Sequence, residues 1–139
     1  MILRSISVAN WRCFLESVEL GPFVDGLNIV HAPNGTGKST LFEAMRRAIL
    51  DGHRVSGRDV DELRPWGRAL APKVTVEFVH GGTEYRITKQ FLDNQSAFLE
   101  RKENGRFRPL AEGASADEQT RALLTQNPPG RGLAQVRNW

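Results

Sequence analysis

Over residues 2–8, Ile2, Ile6 and Val8 are interleaved with Leu3, Ser5 and Ser7, the period-two rhythm of a strand. Asn10-Trp11-Arg12-Cys13-Phe14-Leu15 interrupts the rhythm, and Glu16-Ser17-Val18-Glu19-Leu20 resumes it with Val18 and Leu20 facing one way, so the two runs predict a hairpin. Gly21-Pro22 and Asp25-Gly26 punctuate the next turn. The apolar run Leu27-Asn28-Ile29-Val30 then has the length of a buried strand. Leu41, Ala44, Met45, Ala48 and Ile49 switch to helical spacing, one apolar face that ends near Asp51-Gly52, where the glycine is expected to cap the helix.

Residues 52–72 are rich in Gly, Asp, Arg and Pro and read as a long surface connection with one helical turn around residues 59–63. Alternation returns at Val74, Val76 and Phe78, then at Tyr85 and Ile87, with Gly81-Gly82 as the turn between them. Residues 97–102 and 106–110 flank Asn104-Gly105, a strong hairpin signal. A meander of about four strands, exposed on one face, is predicted. Ser115-Ala116-Asp117-Glu118 has capping-box spacing and opens a helix expected to reach about Leu124, with Pro128-Pro129-Gly130 as its stop.

One stretch carries distinctive chemistry: His31-Ala32-Pro33-Asn34-Gly35-Thr36-Gly37-Lys38-Ser39-Thr40 lies between the 27–30 run and the amphipathic helix. A glycine-rich turn between strand and helix points backbone N–H groups inward, and the helix N-terminus adds partial positive charge; together they suit a phosphate chain. Gly35 and Gly37 permit close backbone approach, Lys38 is placed to reach the β- and γ-phosphates, and Ser39 to put its hydroxyl on Mg²⁺. The usual pattern opens on glycine, and here that position is Ala32; Pro33 biases it toward extended backbone, where alanine costs little.

The 139 residues suit one domain, and 40% apolar with 25% charged residues describes an ordinary globular chain. No apolar run approaches the roughly 18 residues of a membrane-spanning helix, and no signal-peptide pattern follows Met1. With Cys13 alone, no internal disulfide forms, and a cytoplasmic location is expected. The net charge of +3 is compatible with a nucleic-acid partner without arguing for one.

Two separated features resemble one family. Ile6-Ser7-Val8-Ala9-Asn10-Trp11-Arg12-Cys13-Phe14 resembles the opening of SMC-, RecF- and SbcC-type ATPases, and Pro33-Asn34-Gly35-Thr36-Gly37-Lys38-Ser39-Thr40 looks like their Walker A. The resemblance implies an α/β fold: the N-terminal lobe of an ABC-type P-loop ATPase head, spanning residues 1–139, with a mixed sheet, the helix after Lys38 packed on it, and an antiparallel β-rich section. It further implies ATP and Mg²⁺ as cofactors. Arg12, Asn34, Gly35, Thr36, Gly37, Lys38, Ser39 and Thr40 would bind nucleotide, with Lys38 acting at the reacting phosphates and Ser39 on the metal. Arg12 is either near the phosphates or a solvated turn arginine, and Trp11 either touches nucleotide or packs half-buried.

In such proteins the head is split between the ends of a long chain joined by a coiled coil, and ATP is sandwiched between two heads. Expected partners are therefore a C-terminal lobe, a second head in a homodimer, DNA, and a nuclease or other effector subunit, in repair, chromosome maintenance or anti-phage defence. No partner role for a membrane is expected.

Other head motifs are not legible. Asp61-Glu62 and Asp117-Glu118 do not follow apolar runs, as a Walker B requires; there is no Ser-Gly-Gly signature, and Gln135 lies too near the last residue to judge as a Q-loop. The sequence therefore reads as a first lobe only, inactive in hydrolysis by itself. His31, His53 and His80 have no metal-ligand spacing and are expected in structural or solvated roles. Arg86, Lys89, Arg101, Lys102, Arg106 and Arg108 are interleaved with Glu84, Asp93, Glu100 and Glu103, so a mixed solvated face is favoured over a nucleic-acid surface. Two alternatives stay open: a compact P-loop small-molecule kinase, for which Arg54, Arg58 and Arg64 would be lid arginines, and a non-catalytic interaction module.

Overall fold

Strict alternation makes one face of each long strand apolar, and the strands meet so that these faces coincide. A computed structural model of the chain describes residues 1–14, 16–31, 37–65 and 70–125. The described elements are β1 (Ile2–Ala9), β2 (Val18–Leu20), α1 (Lys38–Leu50), α2 (Arg58–Asp61), β3 (Lys73–His80), β4 (Thr83–Gln90), β5 (Ser96–Glu103), β6 (Arg106–Glu112) and α3 (Ala114–Thr125). The strands form one sheet in the order β2-β1-β3-β4-β5-β6. Register aligns Ile6, Val76, Ile87 and Leu99 in one row across four strands, and Val8, Val74, Lys89 and Ala97 in the next. The first row is fully buried, because α1 and α3 pack over this face.

The predicted hairpins form as read. Gly81-Gly82 links β3 to β4, and Asn104-Gly105 links β5 to β6 with both residues at positive φ (51° and 78°), as a two-residue hairpin turn requires. All pairings among the described residues are antiparallel, so what the described residues build of the expected mixed sheet is its antiparallel portion. The helical turn in the long connection is α2.

Three local expectations need correction. The 27–30 run forms no strand: Leu27 and Ile29 are 84% and 78% exposed. A strand exists only through its ladder partners, and this run joins neither sheet edge, β2 or β6. Helix α1 ends where expected, but its C-cap is Asp51 in extended conformation; its N–H donates to the Arg47 carbonyl, and no left-handed Gly52 is involved. Helix α3 begins at Ala114, one residue before the capping-box serine, so the Ser115 hydroxyl lies inside the first turn and accepts from the Gln119 amide at 3.0 Å. The proline stop after α3, Gln135, the 32–36 part of the phosphate-loop motif and the expected backbone of Ala32 lie outside the described residues.

Lys89 also departs from the solvated face predicted for it. Its period-two position puts it on the inner face, fully buried in the row of Val74 and Ala97. There the ammonium pairs with Asp117 Oδ1 of α3 at 3.0 Å and donates to the Asp51 carbonyl at the end of α1. Asp117 Oδ2 is held by His53, from the ring Nδ1 at 2.7 Å and from the backbone N–H at 3.1 Å. One carboxylate thus ties α3, the end of α1 and β4 together. The other basic residues of the sheet do sit in a mixed ionic surface: Arg86 pairs with Glu100 at 3.0 Å and Lys102 with Glu84 at 2.9 Å. Arg86 also lies 4.3 Å over the Phe107 ring.

Burial alone would raise the Asp117 carboxyl, but the charge of Lys89 and the hydrogen bonds from His53 and Lys89 outweigh it and hold it below 3.8. Its stabilisation is therefore present above that value and is lost as pH falls through the lower folded one. Burial lowers the Lys89 ammonium below 10.5, only partly offset by Asp117, so its cost is relieved as pH rises toward 10.5. We predict that Asp117→Asn, which leaves the buried ammonium without a counter-charge, lowers unfolding stability at neutral pH by about 3 kcal/mol in urea titrations. The same variant should flatten the loss of stability below pH 3.8.

The other anchor is Trp11, fully buried and edge-on to Phe91 with centroids 5.7 Å apart. Its Nε1 has no hydrogen-bond partner among the described residues. Trp11→Ala is expected to cost about 3–5 kcal/mol and Trp11→Phe, which keeps a ring and removes the orphan donor, markedly less. Equal losses in thermal melts would show that the ring is not the anchor.

Candidate functional site

Two stretches far apart in sequence, residues 10–14 and the start of α1, are in contact. The 10–14 stretch is a tight reversal. Trp11 and Phe14 exchange backbone hydrogen bonds of 3.0 and 2.9 Å, and Asn10 and Arg12 have φ of 55° and 49°. The buried Trp11 ring pins the reversal to the core, and the Arg12 N–H donates to the Leu63 carbonyl at 2.8 Å, tying it to the residues after α2. Cys13 and Phe14 are thereby directed at Gly37. A Cβ on Gly37 would stand 2.4 Å from Phe14 Cζ and 3.1 Å from Cys13 Sγ. Gly37 also has φ 98° as the N-cap of α1, so both space and backbone conformation require glycine there.

Gly37 offers no capping side chain, and the first turn of α1 holds no acidic residue. The positive end of the helix dipole therefore meets no carboxylate of its own turn, which suits an incoming anion. Lys38 is half-buried, Ser39 is exposed and Thr40 is half-buried. Lys38 lines an open cleft of about 370 Å³ whose walls include Ile2, Phe23, Val24, Leu41 and Phe42.

Arg12 reaches the same helix. Its Nη1 lies 3.1 Å from Glu43 Oε2 and its Nη2 donates to Oε1 at 3.4 Å. Glu43 also accepts from Arg47 Nε at 3.3 Å, and Arg47 Nη1 pairs with Asp51 at 2.8 Å, so ion pairs run along α1 from Glu43 to its C-cap. Glu43 is four residues after Ser39 and shares its face of the helix. Arg12 is thus neither free in solvent nor a lone turn arginine.

Gly37, Lys38, Ser39 and Thr40 stand together at the start of α1, and Arg12 pairs with Glu43 farther along the same helix, whereas Asn34, Gly35 and Thr36 lie outside the described residues. Trp11 is a packing residue, fully buried rather than half-buried. The sequence reading missed Glu43; a glutamate at helical spacing from Ser39 was visible, but nothing in the chain linked it to Arg12. The two Asp-Glu pairs are elsewhere. Asp61 and Glu62 are exposed at the end of α2, and Asp117 is committed to Lys89 and His53 at the far end of α1, about 20 Å away for a 13-residue helix. No described helix is long and apolar enough to cross a membrane.

Comparison with known proteins bears on the family and the fold. The AAA domain family model matches residues 5–127, which is well over half of the chain. The DNA double-strand break repair Rad50 ATPase of Pyrococcus abyssi is 29% identical over 114 residues, covering 81% of this chain and 13% of that protein. The protein of the same description from Thermoplasma acidophilum is 34% identical over 90 residues, covering 64% of this chain and 9% of its own length. The chain therefore spans only a small part of these curated relatives. A solved structure described as "Structural biochemistry of ATP-driven dimerization and DNA stimulated activation of SMC ATPases" superposes with a TM-score of 0.53 at 18% identity, covering 78% of this chain and 72% of that one. At that identity the likeness speaks for the fold. The chain belongs to the AAA domain family, whose model spans residues 5–127.

Proposed function

We propose that the chain is the ATP-binding lobe of an SMC/SbcC-like ATPase that acts on DNA in repair or chromosome maintenance, with ATP driving engagement of two heads. The observation that carries this is the packing of the 10–14 reversal onto Gly37, which stands Arg12 beside the first turns of the helix that begins at Lys38. The donors fit a nucleotide triphosphate with its metal: an uncapped helix start, Lys38 and Arg12 as cations, and the exposed Ser39 hydroxyl as an oxygen ligand for Mg²⁺. In this reading Lys38 holds the β- and γ-phosphates, Asn34, Gly35, Thr36, Gly37 and Thr40 cradle the chain, and Mg²⁺ supplies neutralisation of the phosphate charge.

Hydrolysis requires groups that the described residues do not bring to this place. A C-terminal lobe, from the same or another polypeptide, is proposed to supply them. Val24 and Phe42, 65% and 53% exposed, line the Lys38 cleft, and Leu27 and Ile29, 84% and 78% exposed, alternate with the lining residues Asn28 and Val30; exposed apolar side chains of this kind favour a partner. A strand from that lobe pairing with the 27–30 run would make it the buried strand that its sequence describes. A second head completing the ATP sandwich, DNA, and a nuclease or effector subunit belong to the same proposal, in a cytoplasmic setting. The relatives whose names include DNA repair and the structure described by ATP-driven dimerization support this direction.

Saturating Mg-ATP is expected to raise the thermal midpoint of the chain, since a ligand that binds only the folded state stabilises it. The shift should vanish in Lys38→Ala. Turnover by the 139-residue chain alone should be negligible. An unchanged midpoint would overturn the nucleotide site, and rapid hydrolysis lost in Lys38→Ala would overturn the need for a second lobe.

A further inference from the structure

We propose that Glu43 is a resting counter-anion for Arg12: it holds the guanidinium against α1 without nucleotide, and Mg-ATP draws Arg12 off it, so that Glu43 sets nucleotide affinity. This rests on the nucleotide site proposed above and names a regulator of it. Both terminal nitrogens of Arg12 face the Glu43 carboxylate, at 3.1 and 3.4 Å. A planar guanidinium engaged in this two-pronged way presents the same fork to one anion at a time. The competing anion would arrive at the helix start, by Ser39, which lies on the same face of α1 one turn nearer the N-terminus, about 6 Å along the axis. That is within the sweep of a long arginine side chain.

The exchange is favoured by what surrounds it. Arg12 and Glu43 are 35% and 23% exposed, so their attraction is screened by water and worth little. Charge-assisted bonds to a multiply charged phosphate chain are stronger. When Arg12 leaves, Glu43 is not stranded, because Arg47 Nε still donates to its Oε1 at 3.3 Å. Arg47, itself buried, keeps Asp51 at 2.8 Å as well. The ion-pair run along α1 therefore releases its N-terminal member and stays intact below it. Glu43 touches no nucleotide in this arrangement; it is a positioning residue acting through Arg12.

The test is a double-mutant cycle on the affinity of the full chain for a fluorescent Mg-ATP analogue, using Glu43→Gln, Arg12→Ala and both together, with Lys38→Ala as the site control. Glu43→Gln is isosteric and can still accept from Arg47. It should tighten binding by about 3-fold when Arg12 is present and by less than about 1.5-fold in the Arg12→Ala background. Weaker or unchanged binding in Glu43→Gln, or an equal gain without Arg12, would overturn the proposal while leaving the nucleotide site standing. Absence of binding in the unmodified chain, or binding that survives Lys38→Ala, would overturn the site itself. Should Glu43→Gln fail to fold, arginine side-chain ¹⁵N spectra of the unmodified chain decide: adding Mg-ATP should shift the Arg12 guanidinium signals and leave those of Arg47 in place. Unmoved Arg12 signals at saturation would overturn the proposal.

Discussion

Everything proposed for this chain depends on how closely residues 10–14 approach the start of α1. That approach is possible because Gly37 has no side chain: a Cβ there would stand 2.4 Å from the Phe14 ring. It is held because Trp11, within the same reversal, is fully buried with its ring edge-on to Phe91. Remove either condition and Arg12 loses its place over the helix. A local steric allowance at one residue and a buried ring at another thus place a cation on α1 at Glu43, about one turn from Ser39 at the helix start, where the dipole favours negative charge.

The opposite end of α1 is fixed by different physics. Lys89 enters an apolar row of the sheet and is tolerable there because Asp117 and the Asp51 carbonyl meet its ammonium. Asp117 also binds His53 through ring and backbone nitrogens. Such a cluster adds little net stability over a well-packed apolar equivalent, but each member is costly to remove alone. Its effect is to hold the end of α1, β4 and α3 in one arrangement, so that the helix carrying Lys38 and Ser39 is seated at both ends.

Most of the fold was legible in the chain because period-two and helical spacing report directly on which face an element buries. The β3-β4 and β5-β6 hairpins, α1 and the short α2 all appear where periodicity and turn residues put them. What periodicity could not report was pairing. The 27–30 run has the composition of a strand, yet Leu27 and Ile29 stand in solvent because no described strand offers it a ladder. Nor does alternation price charge: it put Lys89 inward correctly, while the expectation that lysine is solvated pointed outward. The motifs singled out Gly37, Lys38, Ser39 and Arg12 as candidates, whereas the pairing of Arg12 with Glu43 is visible only in space, because 31 residues separate the two in sequence.

Cys13, the single cysteine of the chain, is exposed with its sulfur against Gly37, and so reports on this junction directly. Its alkylation rate with and without saturating Mg-ATP therefore reads whether nucleotide occupies the junction. If the 10–14 reversal and the start of α1 form one nucleotide site, Mg-ATP slows modification of Cys13 several-fold, and Lys38→Ala abolishes the protection. Equal rates with nucleotide bound would mean that ATP, wherever it sits, does not occupy the junction on which this account rests.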